Sequence, residues 1–179
     1  MVYLFLANGF EEIEALCPLD LLRRAGVEVT TVGIGGEMIM GSHGIAVAAD
    51  IPEGMFADSA PDMIILPGGM PGSKNLDRSR VVDTALKVAE RHGSLIAAIC
   101  AAPMVLGHRG LLAGKEAICY PGFEKELTGA KISDKRVVRD GNIITAAGMG
   151  VALEFGLELV AALKGRETAE QLRRAVIAD

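Results

Sequence analysis

The chain has 179 residues, 50% of them hydrophobic and only 4% aromatic, with 22 glycines and a formal charge of −5 at pH 7. This length holds a sizeable core in one domain spanning residues 1–179, and the acidic balance with few aromatics argues against a nucleic-acid partner. No apolar stretch reaches membrane-spanning length and no basic leader precedes the first strand, so a cytoplasmic protein without a membrane partner is expected.

In chain order, Val2–Ala7 is an apolar run with the pattern of a buried strand. Asn8-Gly9 ends it, and Glu11–Ala25 reads as a helix closed by Gly26, with Pro18 interrupting and kinking it. Val27–Ile34 follows as a parallel strand reached by a right-handed crossover. Met38–Met40 and Ile45–Ala48, around a Gly-Ser-His-Gly turn, form a small hairpin attached to the main sheet. Met63–Leu66 is the third main strand, broken by Pro67-Gly68-Gly69. Leu76–Arg91 carries apolar residues at helical spacing and is closed by Gly93. Ser94–Ile99 is another short apolar run, and Pro103 suits the first turn of a helix from Ala101 to about His108. Short strands near Glu116–Cys119, Arg136–Arg139 and Asn142–Thr145 follow, the last entered through Asp140-Gly141, and then helices at Val151–Leu163 and Thr168–Ala175. Strands alternating with helices along the whole length specify a doubly wound, mostly parallel α/β sheet with a small hairpin.

Ligands of such sheets bind beyond the carboxyl ends of the strands. Three unusual pieces follow strand ends directly: Gly9–Glu14, Pro67–Gly69 and Cys100. Cys100 sits on the bend between strand and helix, where a helix dipole lowers a thiol pKa and favours the thiolate; the alternative is a small apolar core side chain. Glu14 lies on a helical stripe with Phe10, Cys17, Pro18, Leu21 and Leu22, whereas Glu11 and Glu12 have routes to solvent. Desolvation there raises a carboxyl pKa and leaves a protonated acid able to serve a thiolate or a substrate; at the edge of the stripe Glu14 would instead reach water. Gly68-Gly69 is either a tight turn or a source of N–H groups for a developing oxyanion. Nucleotide-binding glycine motifs are absent, and the cysteines Cys17, Cys100 and Cys119 lack zinc-ligand spacing, so neither a cofactor, a metal nor a disulfide is expected. Of the histidines, His92 falls at the opposite sheet edge and His108 is about 12 Å along the following helix. His43 lies in the hairpin turn at an unfixed position, so a Cys–His dyad is weakly supported.

The motifs Gly9–Glu14, Arg23–Gly26, Leu66–Gly69, Ala97–Pro103, Gly148-x-Gly150 and Glu154-Phe155, in order and with compatible spacing from about Val2 to Val176, resemble the ThiJ/PfpI superfamily. The most similar branch is that of the Parkinson-disease-associated deglycase and its bacterial relatives. The resemblance implies a flavodoxin-like three-layer sandwich, Cys100 as nucleophile and oxidation-sensitive thiol, and Glu14 as its protonated partner. It also implies an anion pocket of backbone amides from Gly69 and Cys100, with Ala101 and Gly68 as further candidates. Tyr120, Cys17 and His43 are candidate pocket residues, with packing the simpler role for Cys17. Members of this branch act as cofactor-independent glyoxalases on methylglyoxal and glyoxal, or as deglycases on their adducts, and are commonly homodimers. A small dicarbonyl or glycated adduct and a second copy of the chain are therefore the expected partners.

The chain departs from the family pattern at named positions. Tyr120 stands where the animal deglycases have histidine, His43 where they have an arginine reaching toward the partner's site, Ala102 in place of glycine and Met149 in place of proline. Ala101 stands where PfpI-type peptidases have histidine, which weighs against an amidase or peptidase. The alternative to an enzyme is a redox-sensing or chaperone-like dimer whose Cys100 is oxidised.

Overall fold

The computed structural model describes residues 1–57 and 60–178. Strand β1 (Val2–Ala7) is buried along its whole length. Helix α1 (Glu12–Arg24) starts one residue later than the apolar stripe suggests, because Glu11 is its cap: the Glu11 carboxylate accepts from the Glu14 N–H at 2.7 Å. Ala25 caps the other end, Gly26 takes the left-handed conformation (φ 68°) and the helix runs through Pro18 unbroken.

Strand β2 (Val29–Ile34) pairs in parallel with β1. The hairpin strands β3 (Met38–Met40) and β4 (Ala46–Ala48) form an antiparallel two-stranded sheet of their own rather than an extension of the main one. A bridge between Phe10 and Gly41 and hydrogen bonds from the Gly9 N–H to the Met40 carbonyl and from the Met40 N–H to Asn8 Oδ1 tie it to the loop after β1, and of the residues in its two strands only Ile39 is buried. The two-residue edge strand β5 (Ile51–Pro52) pairs with β2 and is too short to leave a sequence pattern.

Strand β6 (Met63–Leu66) leads into α2 (Gly72–Arg78) and α3 (Arg80–His92). The single helix expected over Leu76–Arg91 is thus two. Ser79 adopts extended backbone (φ −73°, ψ 126°) and its hydroxyl accepts from the Val82 N–H at 3.3 Å, starting a new helix. Strand β7 (Leu95–Ile99) ends at Cys100, and α4 (Pro103–His108) begins at Pro103, two residues later than expected, because Cys100 to Ala102 form the turn. The stretch near Glu116 contains only β8 (Glu116–Ala117), which pairs with an unforeseen β9 (Lys131–Ile132). Strands β10 (Val137–Asp140) and β11 (Ile143–Ala146) form the hairpin signalled by Asp140-Gly141. Helices α5 (Ala152–Lys164) and α6 (Arg166–Ala175) complete the chain.

Among the described residues the main sheet has seven strands in the order β10-β11-β7-β6-β1-β2-β5, parallel except for β10. Alternation along β1 supplies both faces: Val2, Leu4 and Leu6 join the core under α1 and α5, and Tyr3, Phe5 and Ala7 join that under α3 and α4. The sheet is therefore the middle of three layers, as in flavodoxin-like structures. Helix α5 approaches α1 closely at Gly156, where a Cβ would lie 3.0 Å from the Cα of Pro18. The direction of chain progression reverses between β1 and β6, which opens a crevice at their carboxyl ends. No described helix is long and apolar enough to cross a membrane.

Candidate active site

Parallel pairing puts the carboxyl ends of β1, β6 and β7 at one edge, and the pieces that follow them meet there. Cys100 follows β7 with φ 65°, a left-handed conformation that a residue with a Cβ rarely adopts. This turn lifts the thiol out of the strand direction toward Glu14, while the Cys100 N–H donates to the Ala146 carbonyl at 2.9 Å and its carbonyl accepts from the Tyr120 N–H at 2.8 Å. Cys100 is only partly exposed.

Glu14, 1% exposed on the first turn of α1, is hydrogen-bonded to the Cys100 thiol. Its Oε2 accepts from the Gly68 N–H at 3.1 Å, and its carboxylate also accepts from the Met149 N–H. Gly68 permits this contact, since any Cβ there would overlap Glu14 Oε2 and lie 2.6 Å from the Cβ of Cys100. Burial, the largest influence, lifts the Glu14 pKa from 4.5 to about 7.

Two expectations change here. Burial and then the Glu14 charge push the Cys100 thiol up to about 12, so its environment does not lower the pKa as the helix-dipole argument suggested. Helix α4 has only six residues and starts three positions beyond the sulfur. Thiolate and carboxylate are not both ionised at neutral pH: between about pH 7 and 12 the pair holds one proton, which leaves either a carboxylate beside a thiol or a thiolate beside a protonated Glu14. The amides of Gly69 and Ala101 hydrogen-bond the sulfur and favour that anion. The other two candidate amides are engaged elsewhere, that of Cys100 by Ala146 and that of Gly68 by Glu14.

Glu12 departs from its expected solvent exposure. It is 3% exposed, and its Oε1 accepts from the His43 N–H at 2.7 Å while Oε2 lies 2.8 Å from His43 Nδ1. Although burial opposes ionisation, these bonds and that of the Ile45 amide hold its pKa at about 2. His43 is therefore fastened to Glu12 in the hairpin turn, with its own pKa raised by that bond. Among the described residues, Glu11, Glu12 and His43 can bring one ligand atom each within 4.8 Å of one another, but buried Glu12 and exposed His43 are already paired with each other.

Cys17 packs against the core beside α5 and lines a separate cavity with Asp20, Leu21, Arg24, Leu153 and Val176. His92 bonds its own helix at the Val88 carbonyl, and His108 bridges Asp77 and Glu126. Tyr120 lies beside the Cys100–Glu14 pair: a Cβ added at Gly148 would be 3.3 Å from the Tyr120 ring and 3.9 Å from Glu14 Oε1. The part of the Met149 amide was not legible in the sequence, although the glycines flanking it stood out as a motif.

Residues 1–162 match the DJ-1/PfpI family. The chain is 39% identical over 175 residues to protein dj-1beta of Drosophila melanogaster, covering 96% of this chain and 94% of that one. It is 35% identical over 164 residues to the glutathione-independent glyoxalase DJR-1.2 of Caenorhabditis elegans, covering 90% and 87%. The structure of oxidized Toxoplasma gondii DJ-1 superposes with a TM-score of 0.94 at 36% identity, covering 98% of this chain and 97% of that chain.

Proposed function

The chain belongs to the DJ-1/PfpI family, and from that premise we propose that it is a cofactor-independent glyoxalase and deglycase acting on small α-oxoaldehydes and their adducts. The observation behind the proposal is the hydrogen-bonded pair of Cys100 and a Glu14 whose pKa is lifted to about 7, with the Gly69 and Ala101 amides on the sulfur. Similarity to a glutathione-independent glyoxalase supports the same chemistry.

In the proposed reaction the Cys100 thiolate attacks the aldehyde carbon of methylglyoxal, a sulfur–carbon bond forms, and the Glu14 proton passes to the carbonyl oxygen, giving a hemithioacetal. The Glu14 carboxylate then removes the hydrogen on that carbon and returns it to the neighbouring carbon through an enediol, leaving a lactoyl thioester. Water hydrolyses the thioester to lactate and frees the thiol, so the sum is methylglyoxal plus water giving lactate. With a hemiaminal or hemithioacetal adduct, the bond to the amine or thiol breaks as the Cys100 bond forms, and Glu14 supplies the proton to the leaving atom. The Gly69 and Ala101 amides stabilise the anion throughout. A peptidase reading lacks its base, because His43, His92 and His108 all have other partners. We place this chemistry in the cytoplasm, in a homodimer.

The test is methylglyoxal loss and lactate formation without glutathione, under reducing conditions, for the wild type, Cys100→Ser and Glu14→Gln. Turnover by the wild type and at least a hundredfold loss in each variant are expected; full turnover by Cys100→Ser would overturn the proposal. A redox-sensing role uses the same amides, which would hold the oxygens of a sulfinate. It would replace the enzyme if the reduced wild type turned over nothing while peroxide changed its binding to partners.

A further inference from the structure

Beside the site, beyond Gly148, lies a cavity of about 370 Å³ lined by Tyr120, Pro121, Arg136, Ala147, Met149 and Val151, with Gly148 and Gly150 between them. It adjoins the Cys100–Glu14 pair through two of its lining residues: a Cβ added at Gly148 would lie 3.3 Å from the Tyr120 ring and 3.9 Å from Glu14 Oε1, and the amide of Met149 is bound to Glu14. A three-carbon dicarbonyl does not need this space, since clefts of about 300–1,000 Å³ accommodate drug-sized ligands.

The lining is unbalanced in charge. Arg136 is its one charged residue, and no carboxylate borders the cavity. Among the described residues the Arg136 guanidinium makes one hydrogen bond, from Nη2 to the Gly150 carbonyl at 3.0 Å, and no ion pair. Arg23, Arg24, Arg109, Arg139, Arg166 and Arg173 each face an acidic side chain, while Arg78, Arg80, Arg91 and Arg174 share with Arg136 the lack of an ion pair among the described residues; Arg136 differs from those four in lining this cavity. A guanidinium has five N–H donors in a planar fork that matches a carboxylate, so most of the Arg136 donors are left for a ligand. The bond to Gly150 fixes the fork at the rim, while the Tyr120 ring and the Met149 side chain, both about half exposed, offer apolar walls.

We propose that this cavity is a substrate subsite for the leaving portion of a dicarbonyl adduct, and that Arg136 selects adducts whose amine or thiol part carries a carboxylate. The assignment rests on the adduct-cleaving reading of the site and specifies its substrate class: adducts of amino acids, peptide termini or thiol acids over neutral or cationic ones. The carbonyl end would face Cys100 and the acid would face Arg136, with the connecting carbons on Tyr120 and Met149.

The experiment measures binding in Cys100→Ser protein, which separates it from turnover. The probes are the stable thioether 3-(2-oxopropylthio)propanoate, its neutral methyl ester, and the matching 2-(2-oxopropylthio)ethyl phosphate, each titrated by ligand-observed NMR. The expected result is that the carboxylate binds five- to tenfold more tightly than the ester. Adding Arg136→Met should bring the ratio close to one, while Arg136→Lys, which keeps the charge without the fork, should keep part of it. Raising ionic strength in the Arg136-containing protein should shrink the ratio, a check that does not depend on how the Met variant folds. Equal binding of acid and ester, a ratio that survives Arg136→Met, or tighter binding of the phosphate would each overturn the assignment. Absence of methylglyoxal turnover in the wild type would count against the enzyme function and leave this binding comparison standing on its own.

Discussion

Glu14 puts a measurable cost on the fold, which replacement by glutamine should remove. In the unfolded chain its carboxyl titrates near 4.5, and in the folded site near 7, chiefly because burial disfavours the charge. The folded state thus binds this proton more tightly, so the Glu14 contribution to stability is most favourable below pH 4.5, declines between pH 4.5 and 7, and is constant above. Each tenfold change in proton affinity is about 1.4 kcal/mol, which makes the full decline about 3 kcal/mol. Glutamine has similar shape, can still accept from the Gly68 N–H and does not titrate. Urea unfolding of Cys100→Ser and of Cys100→Ser/Glu14→Gln, from pH 4 to 8.5, isolates the difference, because other titrating groups cancel. The glutamine protein should gain about 3 kcal/mol relative to its parent on going from pH 4 to pH 8. A difference that stays flat across this range would refute the reasoning that Glu14 is a desolvated, readily protonated acid.

Because the Cys100–Glu14 pair loses its first proton near pH 7 and its second only near pH 12, kcat/KM for methylglyoxal should rise through about pH 7 and stay level into the alkaline range; stopped assays at fixed ionic strength would show the limb. Gly68→Ala should abolish turnover and destabilise the protein by about 1–3 kcal/mol, since the new Cβ collides with Glu14 and Cys100; urea unfolding beside the lactate assay tests both. His43 should titrate above its usual 6.5 in an NMR pH series and return toward it in Glu12→Gln, with faster amide exchange at His43 and Ile45. Ser79→Ala should cost about 1 kcal/mol in chemical unfolding through loss of the α3 cap, with methylglyoxal turnover unchanged.

What the sequence by itself determined was the layered architecture and the strand ends that carry the site. Buried parallel strands are written as short apolar runs, and Pro67-Gly68-Gly69 and Pro103 punctuate them locally, so the convergence of Glu14, Gly69 and Cys100 follows once those strands are parallel. Features set by a single residue's backbone were less legible. The left-handed turn at Cys100 delays α4 to Pro103, and the extended Ser79 splits one helical stripe into two helices, although neither changes the apolar spacing.

Only the tertiary structure decided the protons. Glu12 and Glu14 lie two positions apart on the same helix and both are buried, yet one is held near pKa 2 and the other lifted to about 7. A hairpin turn some thirty residues away brings N–H groups and the His43 imidazole to Glu12. Glu14 faces instead a thiol, an apolar wall and the amides of Gly68 and Met149. Carboxylate chemistry is identical at the two positions, and what separates them is which distant segment covers each. That depends on long-range packing and on the solvation it removes, which no local pattern encodes.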